Sequence, residues 1–203
     1  MAVIDRPTNA PVIPGAIGLD KVIAEIQQGL VNEFTYLDAA FGRAQKITRV
    51  INGRRVVAPA VYCGGWRHHG ENDYIEVGPD KKIGNFVYFE VDDPETIDAG
   101  VWGRELTVPY ALIFWGDFRE LLNSAVERNA EVYKAEFLRF LTGRTGWHLT
   151  NGRVTTARIY ERAENIYKGY TLDEVDAQYL MHPYFGFRIE GVIQFEEFCE
   201  EIK

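Results

Sequence analysis

A regular alternation of apolar and polar residues near the end of the chain, from Phe185 to Glu197, constrains the fold most strongly. Side chains of a β-strand point to opposite faces in turn, so this alternation predicts a strand with one apolar and one polar face. The apolar set is Phe185, Phe187, Ile189, Ile193 and Phe195, and the polar set is Arg188, Glu190, Gln194 and Glu196. We therefore expect a sheet that packs its apolar face on helices and turns its polar face to solvent or a partner.

The composition indicates a globular domain without a strongly basic surface. The 203 residues carry a net charge of −8, whereas a protein that grips nucleic acid needs a basic face to neutralise phosphates. The first residues lack the basic and apolar regions of a secretory signal, and no apolar run approaches the roughly 20 residues that span a bilayer. Cys63 and Cys199 lie too far apart for a metal or redox motif. These features predict a soluble protein made in the cytoplasm.

Two main amphipathic helices are predicted. Apolar residues recur at steps of three and four from Leu19 to Leu37, which places them on one face of a helix. Gly29 is a weak point inside it, because glycine in a helix costs about 1 kcal/mol relative to alanine. Ser124-Ala-Val-Glu127 fits a capping box that opens a second helix running to about Leu141.

The ends of the chain and one internal loop complete the organisation. Residues 1–18 are rich in proline and glycine and form an extended arm, before a single domain over 19–203. An irregular, glycine-rich loop is expected at 62–82. A capping box at Thr171-Leu-Asp-Glu174 predicts a short helix that ends before Pro183.

The strands favour a mostly antiparallel sheet. Asn52-Gly53 is a strong type I′ turn signal between strands at 47–51 and 54–61, so a long hairpin is expected, with Pro59 marking an edge or a bend. Further strands are predicted at 83–91, 108–115 and 154–160, with an irregular crossing at 94–106. Together with the helices, this order predicts an α+β fold.

The loop at 62–82 holds the most ligand-like cluster, His68-His69 with Glu71 and Asp73. Imidazole and carboxylate groups together can bind a divalent metal or carry out acid–base chemistry, so a small metal-dependent hydrolase or nuclease is one alternative. Adjacent histidines on an extended segment point to opposite sides, however, and no second ligand pair supports them. The favoured interpretation is a polar surface loop that binds no metal or cofactor.

The remaining candidate site is a cluster of basic residues. Arg43, Lys46, Arg49, Arg54 and Arg55 cluster at the end of the first helical region and the hairpin tip. A solvated hairpin is the simplest interpretation, and a surface facing DNA or an acidic partner is the alternative.

The layout resembles that of tail-terminator and neck-ring (head–tail connector) proteins of tailed bacteriophages. It shares with them an N-terminal amphipathic helix, a long hairpin, a central sheet with a packed helix, and a long final strand. Three stretches are similar to proteins of phage and prophage tail modules of gut bacteria: 108–118 (VPYALIFWGDF), 169–175 (GYTLDEV) and 181–190 (MHPYFGFRIE).

The resemblance implies a virion structural protein rather than an enzyme. Six or twelve copies would form a closed ring, through which DNA passes without sequence-specific binding, in contact with connector, portal and tail proteins and with no membrane. Residues expected at contacts between subunits are Val12, Ile13, Trp66, His68, His69 and Tyr74; Arg49, Arg54 and Arg55 would face the lumen or a partner. A monomeric protein-binding adaptor is the other alternative.

Overall fold

The computed structural model describes residues 10–65, 69–70, 73–80, 82–91, 96–99, 104–121, 129–172 and 175–197. Its strands are β1 (Ala39–Arg43), β2 (Gln45–Ile51), β3 (Arg54–Tyr62), β4 (Tyr74–Glu76), β5 (Phe86–Val91), β6 (Thr96–Ala99), β7 (Arg104–Asp117), β8 (Gly152–Tyr160) and β9 (Tyr184–Glu197). Its α-helices are α1 (Gly18–Glu33), α2 (Phe118–Leu121), α3 (Glu131–Leu141) and α4 (Ala163–Ile166), and a 3₁₀ helix covers Ala177–Leu180. The expected α+β fold with mostly antiparallel strands is confirmed. No helix in the described part of the chain is long and apolar enough to cross a membrane.

The central sheet has the strand order β1-β5-β7-β9-β8, and β6 also pairs with β7, making six strands. β1 runs parallel to β5, whereas the other described pairs are antiparallel. The predicted closing strand is confirmed as β9, which pairs with β7 along its whole length. The expectation of an irregular crossing at 94–106 is wrong in part, because this region contains β6 and the first residues of β7.

Pro109 lies inside β7, although proline cannot donate a hydrogen bond to a sheet ladder. It pairs with Val192 of β9 on one side. On the other side β7 changes partner, because its pairing with β6 ends at Thr107 and its pairing with β5 begins at Tyr110. Pro109 therefore occupies a gap between two ladders, which explains why a central strand tolerates it.

Two layers cover the central sheet, one on each face. α1 and α3 pack on the face that carries the apolar residues of β9. The smaller sheet β2-β3-β4, together with α4 and the chain after it, covers the opposite face around Trp115. Aromatic side chains fill the helical interface: Phe137 of α3 lies with its ring centroid 5.3 Å from those of both Phe114 and Phe187.

The layer formed by the smaller sheet, α4 and the chain after it covers only one half of the polar face of β9. Glu196 is exposed and Gln194 partly exposed, in agreement with the alternation. Arg188 is only 1% exposed and Glu190 is half-buried, so the expectation that this pair faces solvent or a partner is wrong. Alternation shows which residues share a face, but not whether another layer lies over that face.

The predicted hairpin is confirmed: β2 and β3 flank Asn52 and Gly53, whose positive φ angles of 50° and 77° suit a type I′ turn. β3 is central in its sheet rather than at an edge, because β4, from within the predicted loop 62–82, pairs with it. That pairing covers only residues 60–62 of β3, so Pro59 lies just beyond it.

The helices differ from expectation mainly at their ends. α1 ends at Glu33 rather than Leu37, where the N–H of Phe34 closes the last turn on the carbonyl of Leu30. Phe34 and Leu37 nevertheless remain in the core.

Both predicted capping boxes include residues outside the described ranges, namely 124–127 in the first box and Asp173 and Glu174 in the second. The described helix α3 begins at Glu131, whose N–H donates to Oδ1 of Asn129. The short helix before Pro183 is the 3₁₀ helix, and the carboxylate of Asp176 caps it.

Candidate functional site

The cluster expected at 68–73 is only partly described. Trp66, His68 and Glu71 lie outside the described residues, and His69 is exposed. Asp73 is engaged in a local turn, in which its carboxylate accepts a 2.7 Å hydrogen bond from the N–H of Gly70. Within the described ranges, no group of three or more His, Cys, Asp or Glu residues is arranged to hold a metal ion.

Tyr74, predicted to contact a neighbouring subunit, begins β4 and is 48% exposed. Its ring lies beside that of Tyr62 on β3, with centroids 5.9 Å apart in an edge-to-face arrangement. The smaller sheet therefore holds Tyr74 in place and leaves nearly half of its surface available for contact.

A cleft of about 920 Å³ opens between the smaller sheet and the chain that follows α4. Two hydrogen bonds fix its base: the N–H of Thr171 donates to the carbonyl of Val57 (2.9 Å), and the N–H of Val57 donates to Oγ1 of Thr171 (3.0 Å). The lining is aromatic and aliphatic with charged residues among it, and includes His69, Tyr74, Ile75, Tyr170, Leu172 and Tyr179. A cleft of this size and composition suits a segment of another protein.

The charged groups of the cleft lining are mostly paired with each other. Arg49 forms a 2.6 Å ion pair with Glu76 across the smaller sheet. Partial burial, and then the carboxylates of Asp80 and Asp176 with Tyr184, raise the pKa of Tyr179 above its ordinary value. The Tyr179 hydroxyl therefore stays neutral at physiological pH and can donate a hydrogen bond.

On the face of the central sheet that α4 covers, the guanidinium of Arg188 lies between two carboxylates. Its Nη1 donates to Oε2 of Glu90 (2.6 Å), and its Nε donates to Oε1 of Glu190 (2.8 Å). Glu90 and Glu190 both pair in register with Ala111, whose small side chain leaves room above the strand between them. Sequence reasoning missed this group, although Glu90 was visible as a charge inside the apolar run FVYFEV.

Two tyrosines lie close to this ionic group. The hydroxyls of Tyr88 and Tyr167 are buried and make no hydrogen bond within the described protein. Burial raises the pKa of Tyr167, and burial followed by the charge of Glu90 raises that of Tyr88. Both therefore stay neutral, and the group as a whole is suited to holding the layers together rather than to acid–base exchange.

The arginines expected at a lumen or partner face lie on the hairpin of β2 and β3. Arg54 and Arg55 are exposed at its tip, next to Val50, which is 72% exposed. Arg49 lies further down the hairpin, where Glu76 neutralises its charge. The tip thus presents one aliphatic and two cationic side chains.

The described part of the N-terminal arm lies against its own subunit. The Nε2 of Gln27 in α1 donates to the carbonyl of Pro11 (2.9 Å) and to that of Ala40 (2.7 Å). Val12 remains exposed and Ile13 half-buried. Pro11, held in this way, directly precedes the two predicted contact residues, so this part of the arm lies on the surface of its own subunit.

Compared with known proteins, the chain matches no family model and no curated protein.

Proposed function

We propose that this protein is a structural component of a phage virion that assembles into an oligomeric ring at the neck or tail, around the passage for DNA. The observation that carries the proposal is the hairpin of β2 and β3. Its tip presents the exposed residues Val50, Arg54 and Arg55, and arginine is enriched at protein–protein interfaces.

The buried polar groups also support a structural role, because they join strands and loops to one another. Asp38 accepts a hydrogen bond from the N–H of Asn85 (2.8 Å), and the side chain of Asn85 accepts one from the N–H of Asp117 (2.9 Å). Together with the ion pair of Arg188 and Glu90, these groups fix strands and loops to one another. Enzymes instead concentrate such groups in an accessible cleft.

The charge of the chain fits a ring that DNA traverses without being gripped. A net charge of −8 disfavours tight, non-specific binding along a lumen. The arginines at the hairpin tip would then contact a neighbouring subunit or line one level of the channel. Closure into six or twelve copies requires a head-to-tail interface, in which two different surfaces of the subunit meet.

Assembly is tested on the full chain by size-exclusion chromatography with light scattering, followed by imaging of single particles. We expect closed rings of six or twelve copies, formed alone or with neck and tail proteins. A chain that stays monomeric over a wide concentration range, also in the presence of those virion proteins, would contradict the proposal.

The cleft beside Tyr170 and Tyr179 favours a second candidate, a monomeric adaptor that binds a segment of another protein. The same light-scattering measurement separates the two, because an adaptor forms a complex of one copy with its partner. The hydrolase alternative has less support, since His69 and Asp73 bring no third ligand within the described residues.

A further inference from the structure

The hairpin tip, residues 50–55, is cationic and partly apolar. Val50 pairs with Arg55 and Ile51 with Arg54 on either side of the turn. Val50 is 72% exposed, and both arginines are exposed. Within the described chain neither arginine forms an ion pair, so the hairpin tip carries two positive charges that its own subunit does not neutralise.

The cleft between the smaller sheet and the chain after α4 carries the opposite charge. The residues of its lining that are fully charged at neutral pH are Arg49, Glu76, Asp80, Lys82 and Asp176. Arg49 and Glu76 neutralise each other, and Nζ of Lys82, on a side chain that is 88% exposed, lies 3.9 Å from Asp80. Three carboxylates against two cations leave the cleft with a net negative charge.

The two remaining carboxylates lie near one aromatic side chain. Asp80 and Asp176 belong to the two segments that border the cleft, and both act on the hydroxyl of Tyr179. Partial burial, and then these charges together with that of Tyr184, raise the pKa of this hydroxyl. An aromatic ring with carboxylates beside it is suited to a cation, above all to a planar guanidinium.

The same combination of groups already binds an arginine elsewhere in the subunit. The guanidinium of Arg119 lies over the ring of Tyr184, 4.9 Å from its centroid. Its Nε donates to both carboxylate oxygens of Asp117, at 2.9 Å and 3.0 Å. The cleft offers a second tyrosine with carboxylates nearby, and no described arginine is stacked on Tyr179.

We propose that the hairpin tip of one copy docks in the cleft of another copy, with its arginines against Asp80 and Asp176 and with Val50 against the apolar lining. This inference rests on the proposed ring and names the surface that receives the hairpin tip. A two-stranded tip is convex and the cleft, of about 920 Å³, is concave, and complementary charges fix the register of such a contact. Because the tip and the cleft are different surfaces, the contact is head-to-tail and repeats from copy to copy.

The hairpin tip cannot enter the cleft of its own subunit. Arg49 and Val56 form a rung of the hairpin that lines the cleft, and residues 50–55 continue the ladder beyond that rung. Thr171 holds Val57 at the base of the cleft through two hydrogen bonds. The tip could turn back only if the ladder of β2 and β3 broke, so an occupant of this kind comes from another chain.

Disulfide trapping tests the contact on the full chain. Cys199→Ser supplies the background, one chain carries Val50→Cys in the hairpin tip, and another carries Leu172→Cys in the lining of the cleft. After mild oxidation, we expect covalent dimers from the mixture and not from either chain alone. Dimers from Val50→Cys alone would show two tips in contact with each other and would overturn the inference.

The matched control for trapping is Val132→Cys in place of Leu172→Cys. Val132 is 50% exposed on α3, in the layer that covers the opposite face of the central sheet. Its mixture with Val50→Cys should give no dimer. Equal yields from the two mixtures would show random collision and would overturn the inference.

A charge variant tests the complementarity itself. Asp80→Asn with Asp176→Asn removes both charges and keeps the oxygens that accept the N–H groups of Lys82 (3.0 Å) and Gln178 (3.1 Å). We expect the dissociation constant of self-association to rise at least severalfold at low ionic strength, while urea unfolding stays that of the parent.

The control for charge is Glu105→Gln with Glu164→Gln, which makes the same change in net charge at exposed positions outside the lining of the cleft. It should leave the dissociation constant unchanged. Equal dissociation constants for the two double variants would contradict the docking of the arginines on Asp80 and Asp176.

Light scattering on the trapped samples separates this inference from the proposed function. Rings without a cross-link in the mixture of Val50→Cys and Leu172→Cys would overturn the docking and leave the ring in place. A cross-link confined to dimers that exchange their hairpins would support the docking and contradict the ring. Monomers throughout would contradict both.

Discussion

At the residue scale, the ionic group of Arg188, Glu90 and Glu190 shows how a charge is kept inside this fold. Arg188 is buried, and Glu90 and Glu190 accept hydrogen bonds from its guanidinium. Removing ions from water is costly, and good geometry with both partners offsets much of that cost. The group therefore joins β5 to β9 across β7, and a 3.4 Å hydrogen bond from Nη1 of Arg188 to the carbonyl of Ile166 joins it to α4.

Arg188→Ala should lower the free energy of unfolding by about 3–5 kcal/mol, because it leaves the Glu90 carboxylate buried without its partner. Arg188→Met combined with Glu90→Leu should recover most of this loss, since neither charge then remains. Urea unfolding of the three proteins measures the difference. The exposed Arg153→Ala is the control, expected within about 0.5 kcal/mol of the parent; an equal loss in Arg188→Ala and in this control would contradict the assignment.

The buried tyrosines predict a dependence on alkaline pH. Burial raises the folded-state pKa of Tyr167 above its ordinary value of 10.0, so its stabilising contribution is complete below that pH and is lost as the pH rises above it. The slope is about 1.4 kcal/mol per pH unit for each such tyrosine.

Between pH 9 and 11 the free energy of unfolding should fall less steeply with pH in Tyr167→Phe than in the parent. The difference in slope should be up to about 1.4 kcal/mol per pH unit. At neutral pH the same change should be close to neutral, because the hydroxyl has no hydrogen-bond partner within the described protein. Tyr74→Phe, at a half-exposed position, is the matched control. Identical pH profiles for all three proteins would contradict the prediction.

At the element scale, Gly29 allows α1 to pack closely against the loop after α3, because glycine has no side chain. A Cβ added to Gly29 would lie 2.5 Å from Nε1 of Trp147 and 2.8 Å from Cζ of Phe140. Those two rings stack with centroids 4.4 Å apart, so neither can move freely. Gly29 is therefore required for packing, although it weakens the helix itself.

Gly29→Ala should destabilise the protein by about 1–3 kcal/mol through overpacking, whereas helix propensity alone predicts a gain of about 1 kcal/mol. The sign of the change in unfolding free energy distinguishes the two effects. Trp147→Ala in the same chain removes the nearest contact and the ring that holds Phe140 in place, so adding Gly29→Ala to it should cost less than in the parent. If Gly29→Ala alone stabilises the protein, the loop that carries Trp147 moves to make room for the added methyl group, and the prediction is wrong.

At the scale of the whole molecule, the subunit leaves several surfaces without a partner in the described chain. They are the hairpin tip, the exposed part of the arm, and the two edges of the central sheet. These surfaces differ from one another, which suits head-to-tail assembly better than a two-fold dimer.

Val50→Asp should prevent ring formation while leaving the unfolding free energy within about 0.5 kcal/mol of the parent, because Val50 is exposed in the isolated subunit. Met181→Asp changes another exposed apolar residue and is expected to leave assembly intact. Light scattering reports assembly, and urea unfolding reports stability. Rings that form normally with Val50→Asp would exclude the hairpin tip from the interface.

Much of the fold was predictable because its signals are local. The turn residues Asn52 and Gly53 define the hairpin, and the alternation from Phe185 identifies β9. β1 and β4 were missed because short strands have too few residues for a period to appear. Of the predicted contact residues, Val12, Ile13, His69 and Tyr74 are described, and their role between subunits stays a prediction.

The sequence by itself determined the longer strands, the apolar stripe of α1 and the apolar face of β9, because periodicity and turn chemistry act over a few neighbouring residues. Only the tertiary structure decided that the polar face of β9 is half covered. That outcome depends on the pairing of Arg188 with Glu90, 98 positions away, and on α4, whose Ile166 carbonyl accepts a hydrogen bond from Arg188. It also decided which strands lie at the edges, because strand order follows from the packing of the whole chain rather than from any one segment.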